Sequence, residues 1–434
     1  MTRLVRKSLI FVFLLLVIAA AGWFGHKAYA KAMERRCLED AEDCLEKRDF
    51  LNATLCLRRV LELNPKNIDV PAKMAELLEA QGLPGAVDWR IRAAELHPRE
   101  ASFRFDWAES ALKARDVRSA ARALEGIDDT ARETAQYQKL AGALDWSLGH
   151  LEEAEKHYAK ALQLDPTNQK VAFNLATIRL RSTNSATADA ARLSMERMMS
   201  NPSLKLTALR QLVSFEELRQ APTEALKYST NIVKDPTAGY ADKLGHLELL
   251  HRARSADYDP WLAELKREAT NSSARAFAMG KWIAKVNGID ASLAWINTLP
   301  EDIQGNPPLV FLIADCYVLL KDWQALLDRI ESQNWGEADA QRMALIALAR
   351  RSLGQETAFQ TAWREALRAA DHHRDSLLLL VRFASSWGLS DQKREVLELF
   401  AAEFPKEKLP AEMNSNNPPA ALGEAPAVPI EPRL

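Results

Sequence analysis

A glycine or aspartate returns along this chain at steps of about 34 residues: Asp49, Gly82, Asp116 and Gly149, then Gly288, Asp322, Gly354 and Gly388. Residues of these two kinds stop helices and permit sharp reversals. The stretches between them are rich in alanine and leucine, and 434 residues include just 16 glycines. That composition favours helix over sheet. A fixed period of this length marks a repeat architecture, in which each unit buries its apolar face against its neighbours.

The residue pattern is sharpest in Leu148–Pro166, LGHLEEAEKHYAKALQLDP. With position one at Ala135, Gly142 falls on the eighth place, Ala154 on the twentieth, Tyr158 four later, then Ala161 and a closing Pro166. Small residues where two helices cross let their backbones approach, larger ones flank the crossing, and proline stops the second helix. Gln138, Ala141 and Asp145 stand where Trp, Leu and Tyr are usual. The same frame, started at Glu34, Asn67, Ala101, Gln169 and Lys205, places Ala41, Ala53, Met74, Ala93, Ala108, Ala120, Ala176, Ala188, Leu212 and Tyr228. In the last of these frames Ala225 comes one place late. From Gly239, Ser273 and Pro307 the spacing persists while the residue match fades, and two looser hairpins fit Gln341–Ala370 and Arg374–Phe404.

This stretch resembles the tetratricopeptide repeat family. The resemblance implies an all-α fold: a right-handed superhelical solenoid of about eleven helical hairpins. The repeat pattern covers 34–236, and divergent hairpins cover 239–404. The tail 405–434 holds seven of the 19 prolines and is expected to be disordered.

Ahead of the repeats, Ser8–Gly25 reads SLIFVFLLLVIAAAGWFG without a charge. That run is long enough for a transmembrane helix. Arg3, Arg6 and Lys7 in the tail 1–7 place the amino end in the cytoplasm, although Lys27, Lys31, Arg35 and Arg36 follow on the other side. Ala28-Tyr29-Ala30 offers the rival reading, a signal peptide cleaved after Ala30. Either way the repeats are exported. The arrangement is similar to that of bacterial envelope tetratricopeptide proteins, which implies an inner-membrane anchor with the repeats in the periplasm.

The net charge of −2 gives no basic excess for nucleic acid. Cys37, Cys44, Cys56 and Cys316 include no CxxC pair, so no metal site is expected. They read as small apolar residues, with a Cys37–Cys56 bridge across the first hairpin as the alternative. Asp371-His372-His373 resembles a phosphoesterase triplet but sits at a helix end with no strand to carry its partners. It reads as exposed turn. No phosphate loop or nucleophile motif occurs, so neither an enzyme nor a bound cofactor is expected.

In the resembled family the inner face is built from helix A, the first of each hairpin. Carried onto this chain, that face includes Phe105, Asp106, Glu109, Lys113, Lys139, Ala143, Trp146, Phe173, Asn174, Thr177, Leu209, Arg210 and Val213. Mixed apolar and polar side chains suit a peptide or partner helix. Lys139, Asn174 and Arg210 also match a carboxylate clamp known in some members, while Ala143 and Leu206 depart from it. The expected function is a membrane-tethered scaffold for a protein or peptide partner in an envelope or secretion assembly. The alternatives are a non-catalytic subunit of a polysaccharide-handling complex, or a self-associating element.

Overall fold

The computed structural model describes residues 28–370, 372–405 and 407. The expected transmembrane segment 8–25, the tail 1–7 and nearly all of 405–434 lie outside these residues. Among the described residues every regular element is helical, and none of the helices is long and apolar enough to cross a membrane.

The chain divides into two units, the first ending at Gln211 and the second beginning at Leu212. Unit one opens with helix α1 over 28–46 and α2 (Phe50–Leu63), followed by α3 (Val70–Gln81), α4 (Ala86–Leu96), α5 (Ala101–Lys113) and α6 (Val117–Glu125). A single helical turn, α7 (Asp129–Arg132), leads to α8 (Ala135–Leu148), α9 (Leu151–Leu164), α10 (Gln169–Arg179) and α11 (Ser185–Met198). Helix α12 (Pro202–Leu218) carries the chain over the boundary. Unit two continues with α13 (Pro222–Val233), α14 (Tyr240–Arg252), α15 (Tyr258–Ala269), α16 (Ser273–Asn287) and α17 (Ile289–Ile296). A second single turn, α18 (Glu301–Gln304), precedes α19 (Leu309–Leu320), α20 (Trp323–Ile330), α21 (Asp339–Ser352), α22 (Glu356–Ala370), α23 (Arg374–Ser386) and α24 (Ser390–Glu403). The two single turns are absent from the 34-residue pattern because four residues carry no periodicity.

All eight recurring glycines and aspartates sit between paired helices, and they solve the reversal in two ways. Gly82, Gly149, Gly288, Gly354 and Gly388 adopt positive φ themselves, which costs glycine nothing. At the aspartates the residue before takes that conformation: Arg48 (φ 57°), Arg115 (φ 59°) and Lys321 (φ 57°). Asp49, Asp116 and Asp322 then cap the next helix, accepting from the backbone N–H of Asn52, Ser119 and Ala325. The gap in the sequence signal between Gly149 and Gly288 has the same basis. Gln220 (φ 56°) and Arg254 (φ 51°) make the reversal there without glycine or aspartate, and Asn184 caps α11.

The crossings are close. A Cβ on Gly142 would lie 2.9 Å from the Tyr158 ring, and one on Gly280 would lie 2.8 Å from Leu312. Ala41, Ala53, Ala108, Ala120, Ala154 and Ala314 are fully buried at corresponding places. The departures from the family pattern have a partner of their own. His157 on α9 bridges back to α8, its Nδ1 2.7 Å from Gln138 Oε1 and its Nε2 3.5 Å from Asp145 Oδ2. A polar bridge thus holds the hairpin where apolar residues are usual.

In α13 the register slips by one. Ala225 and Ser229 are buried while Tyr228 is only half-buried, and Ser229 Oγ lies 2.7 Å from His246 Nδ1. Burial holds that imidazole below its ordinary pKa, against the charge of Asp257. The four cysteines are unpaired.

Gly142→Val should lower stability by about 1–3 kcal/mol, because the added branches meet the fully buried Tyr158 ring. Thermal melts followed by circular dichroism check this. An unchanged midpoint would show that the α8–α9 crossing tolerates a wider separation.

Candidate protein-binding face

Helices α5 and α8 are the first members of successive hairpins in unit one, and they stand side by side. Glu109 on α5 joins them: Lys113 Nζ lies 3.0 Å from its Oε1, and Lys139 Nζ, on α8, lies 3.1 Å from its Oε2. Burial pushes the Glu109 carboxyl up, but the two lysines outweigh it and hold the pKa below the usual range. Phe105, one turn before Glu109, is half-buried and packs on the apolar core beneath. Trp146, two turns beyond Lys139, is also half-buried and meets Tyr158 edge-on at 6.2 Å. The face is therefore a pair of anchored aromatic rings set around a charged bridge.

A residue that the helix A pattern does not reach completes it. Arg90 comes from α4, the second helix of its hairpin, and is 8% exposed. Its Nε and Nη2 donate to the two oxygens of Glu79 at 3.1 and 2.8 Å, and its Nη1 lies 3.5 Å from Asp106 Oδ2. Burial raises Glu79, yet hydrogen bonds from Arg90 and Ser110 leave it net lowered. Asp106, with one long contact, stays raised: burial dominates and the Arg90 charge offsets part of it. No local signal singles out Arg90 in the sequence, since Arg92 on the same helix is exposed.

The other sequence-selected residues fall elsewhere. Phe173 and Asn174 on α10 are 2% and 1% exposed. Asn174 is the polar group beside the Tyr158 hydroxyl, although no hydrogen bond of good geometry satisfies that oxygen. Arg210 on α12 is exposed. Lys139 is committed to Glu109 and Asn174 is buried, so the two do not converge on an open carboxylate site.

Of the tryptophans, Trp107, Trp282 and Trp363 are buried, and each donates its indole N–H: to Ser119 Oγ at 2.8 Å, Glu248 Oε2 at 2.9 Å and Glu395 Oε2 at 3.2 Å. His372 and His373 are exposed turn residues between α22 and α23, and Asp371 lies outside the described residues. Among the described residues no cluster of three His, Cys, Asp or Glu is placed to hold a metal ion.

Residues 137–168, from α8 to the turn after α9, match the family model described as tetratricopeptide repeat. The chain carries a tetratricopeptide repeat over these residues. No curated protein matches it in sequence. Among solved structures it is similar to pilF of Pseudomonas aeruginosa, at 16% identity and a TM-score of 0.42, over 51% of this chain and 98% of that one. A tetratricopeptide repeat protein from Parabacteroides merdae matches at 13% identity and a TM-score of 0.37, over 67% of this chain and 99% of that one. The Cut9–Hcn1 hetero-tetramer of the APC/C matches at 14% and 0.37, over 91% and 85%.

Arg90→Met should move the urea unfolding midpoint by the equivalent of about 2–3 kcal/mol, because it leaves Glu79 and Asp106 facing each other without their cation. Adding Glu79→Leu should restore most of the loss. A double variant as weak as the single one would mean that Arg90 acts through packing alone.

Proposed function

We propose that this protein is a membrane-anchored scaffold of a bacterial cell envelope, holding a protein partner against the α5–α8 face. In this reading residues 8–25 span the inner membrane with the amino end in the cytoplasm, and the repeats lie in the periplasm. Helix is already present at residue 28, so cleavage after Ala30 would cut inside a helix. This favours retention of the anchor.

The observation that carries the binding assignment is the Glu109 bridge with its flanking rings. Phe105 and Trp146 are anchored from below and open from above. Aromatic anchors held in this way can carry much of the energy at protein interfaces. The charges around them are already paired, so they would fix register and exclude wrong partners more than add affinity. Self-association is the second reading. It draws on Leu51 and Leu55, one turn apart on α2 and 72% and 54% exposed.

A photo-crosslinking residue placed at Phe105 or Trp146 in cells should form an adduct with a distinct protein. The same residue at Lys156, whose side chain is 75% exposed on α9, should not. Adducts from Lys156 alone, or none from the face, would reject the assignment. An adduct of twice the chain mass would establish self-association instead. Membrane topology is read separately: alkaline phosphatase fused after Leu434 should be active, and an inactive fusion would reverse the orientation.

A further inference from the structure

Unit two carries a second helix A face with a carboxylate set among apolar side chains. Asp315 on α19 is half-buried and forms no hydrogen bond or salt bridge among the described residues. Its pKa is pushed up to about 6 by burial, with the charge of Lys281 on α16 pulling the other way. Among the described residues Lys281 is the charged side chain that acts on it, and its Nζ stands 5.6 Å over the Phe277 ring of its own helix. Lys285, one turn on, is engaged with Glu248 of α14 at 3.1 Å.

Phe311, Asp315 and Leu319 follow at four-residue steps and so share one face of α19. Phe311 packs edge-on against Trp335 at 5.2 Å, and Leu319 is 65% exposed. A partly open apolar stripe therefore has at its centre a carboxylate that is partly desolvated and makes no hydrogen bond to the described residues.

We infer that this stripe is a recognition site for a lysine or arginine flanked by apolar residues on a partner segment. This rests on the scaffold reading and goes further, naming a second face and the chemistry it selects. The leucine and phenylalanine would receive the apolar flanks. The incoming cation would give Asp315 the charge-assisted hydrogen bond it lacks. A cation binds the ionised carboxylate, so affinity must fall as pH drops through about 6.

The test uses the full chain and a fluorescent helical peptide with one lysine among leucines and alanines, beside a version with norleucine for lysine. Anisotropy at pH 7.5 should show the lysine peptide binding about tenfold tighter than the norleucine peptide. At pH 5 the preference should shrink to about twofold or less, because Asp315 is mostly protonated. Asp315→Asn should erase the preference at both pH values, and Lys281→Gln should increase it.

Folding of the variants is read in the same samples. A raised carboxyl pKa means that ionisation opposes folding. Wild type should therefore gain thermal stability relative to Asp315→Asn as pH falls from 7 to 5. Equal binding of the two peptides, or a preference that survives Asp315→Asn, overturns the inference. Failure of crosslinking at Phe105 and Trp146 would count against the α5–α8 face and leave this result standing.

Discussion

Everything in this structure depends on reversing a helix within a few residues, and a residue with positive φ does it at every reversal described above except that between α10 and α11. The left-handed conformation costs an ordinary residue about 1 kcal/mol or more and costs glycine almost nothing. Five reversals use glycine. Others place arginine, lysine or glutamine in the strained position, and at three of them an aspartate follows whose side chain caps the next helix. The cap offsets the strain, since an N-cap is worth about 1 kcal/mol. Two chemistries thus yield one geometry, and the period of the chain is the period of that turn.

This explains how much of the fold was legible. A turn that needs glycine or aspartate writes itself into the sequence, and so does a crossing that admits only a small residue. Gly142 against Tyr158 and Gly280 against Leu312 are of this kind. The reversals at Gln220 and Arg254 were not legible, because glutamine and arginine in the left-handed region look like any other polar residue. The slip in α13 was visible in Ala225, one place late, but its consequence was not. Serine takes the buried place and finds a histidine seventeen residues on, a contact that no local pattern encodes.

The candidate face was half legible for a related reason. Helix A positions are set by the repeat frame, so Phe105, Glu109, Lys139 and Trp146 could be grouped before their contacts were known. Helix identity does not set burial, however. Phe173 and Asn174 occupy the same class of position on α10 and are buried. Arg90 enters from a second helix because α4 packs between Glu79 and Asp106, and an arginine is long enough to reach both. Periodicity assigns a residue to a face of its own helix. Which neighbour covers that face is a tertiary fact.

The two faces differ in what they ask of a partner. Glu109 already has two lysines, and a ligand offering a cation there would have to displace bonds in place. In the proposed reading, selection on that face would rest on the shape presented by Phe105 and Trp146. Asp315 has no such bonds to lose. A cation arriving at Asp315 recovers the desolvation that folding has already imposed, so the same contact is worth more there than at Glu109. Repeat arrays can bear such a site because each hairpin is stabilised by its neighbours through buried alanines and turn caps. A partly desolvated carboxylate then weakens one hairpin without unfolding the chain, and in the proposed reading that cost would be offset when the right side chain arrives.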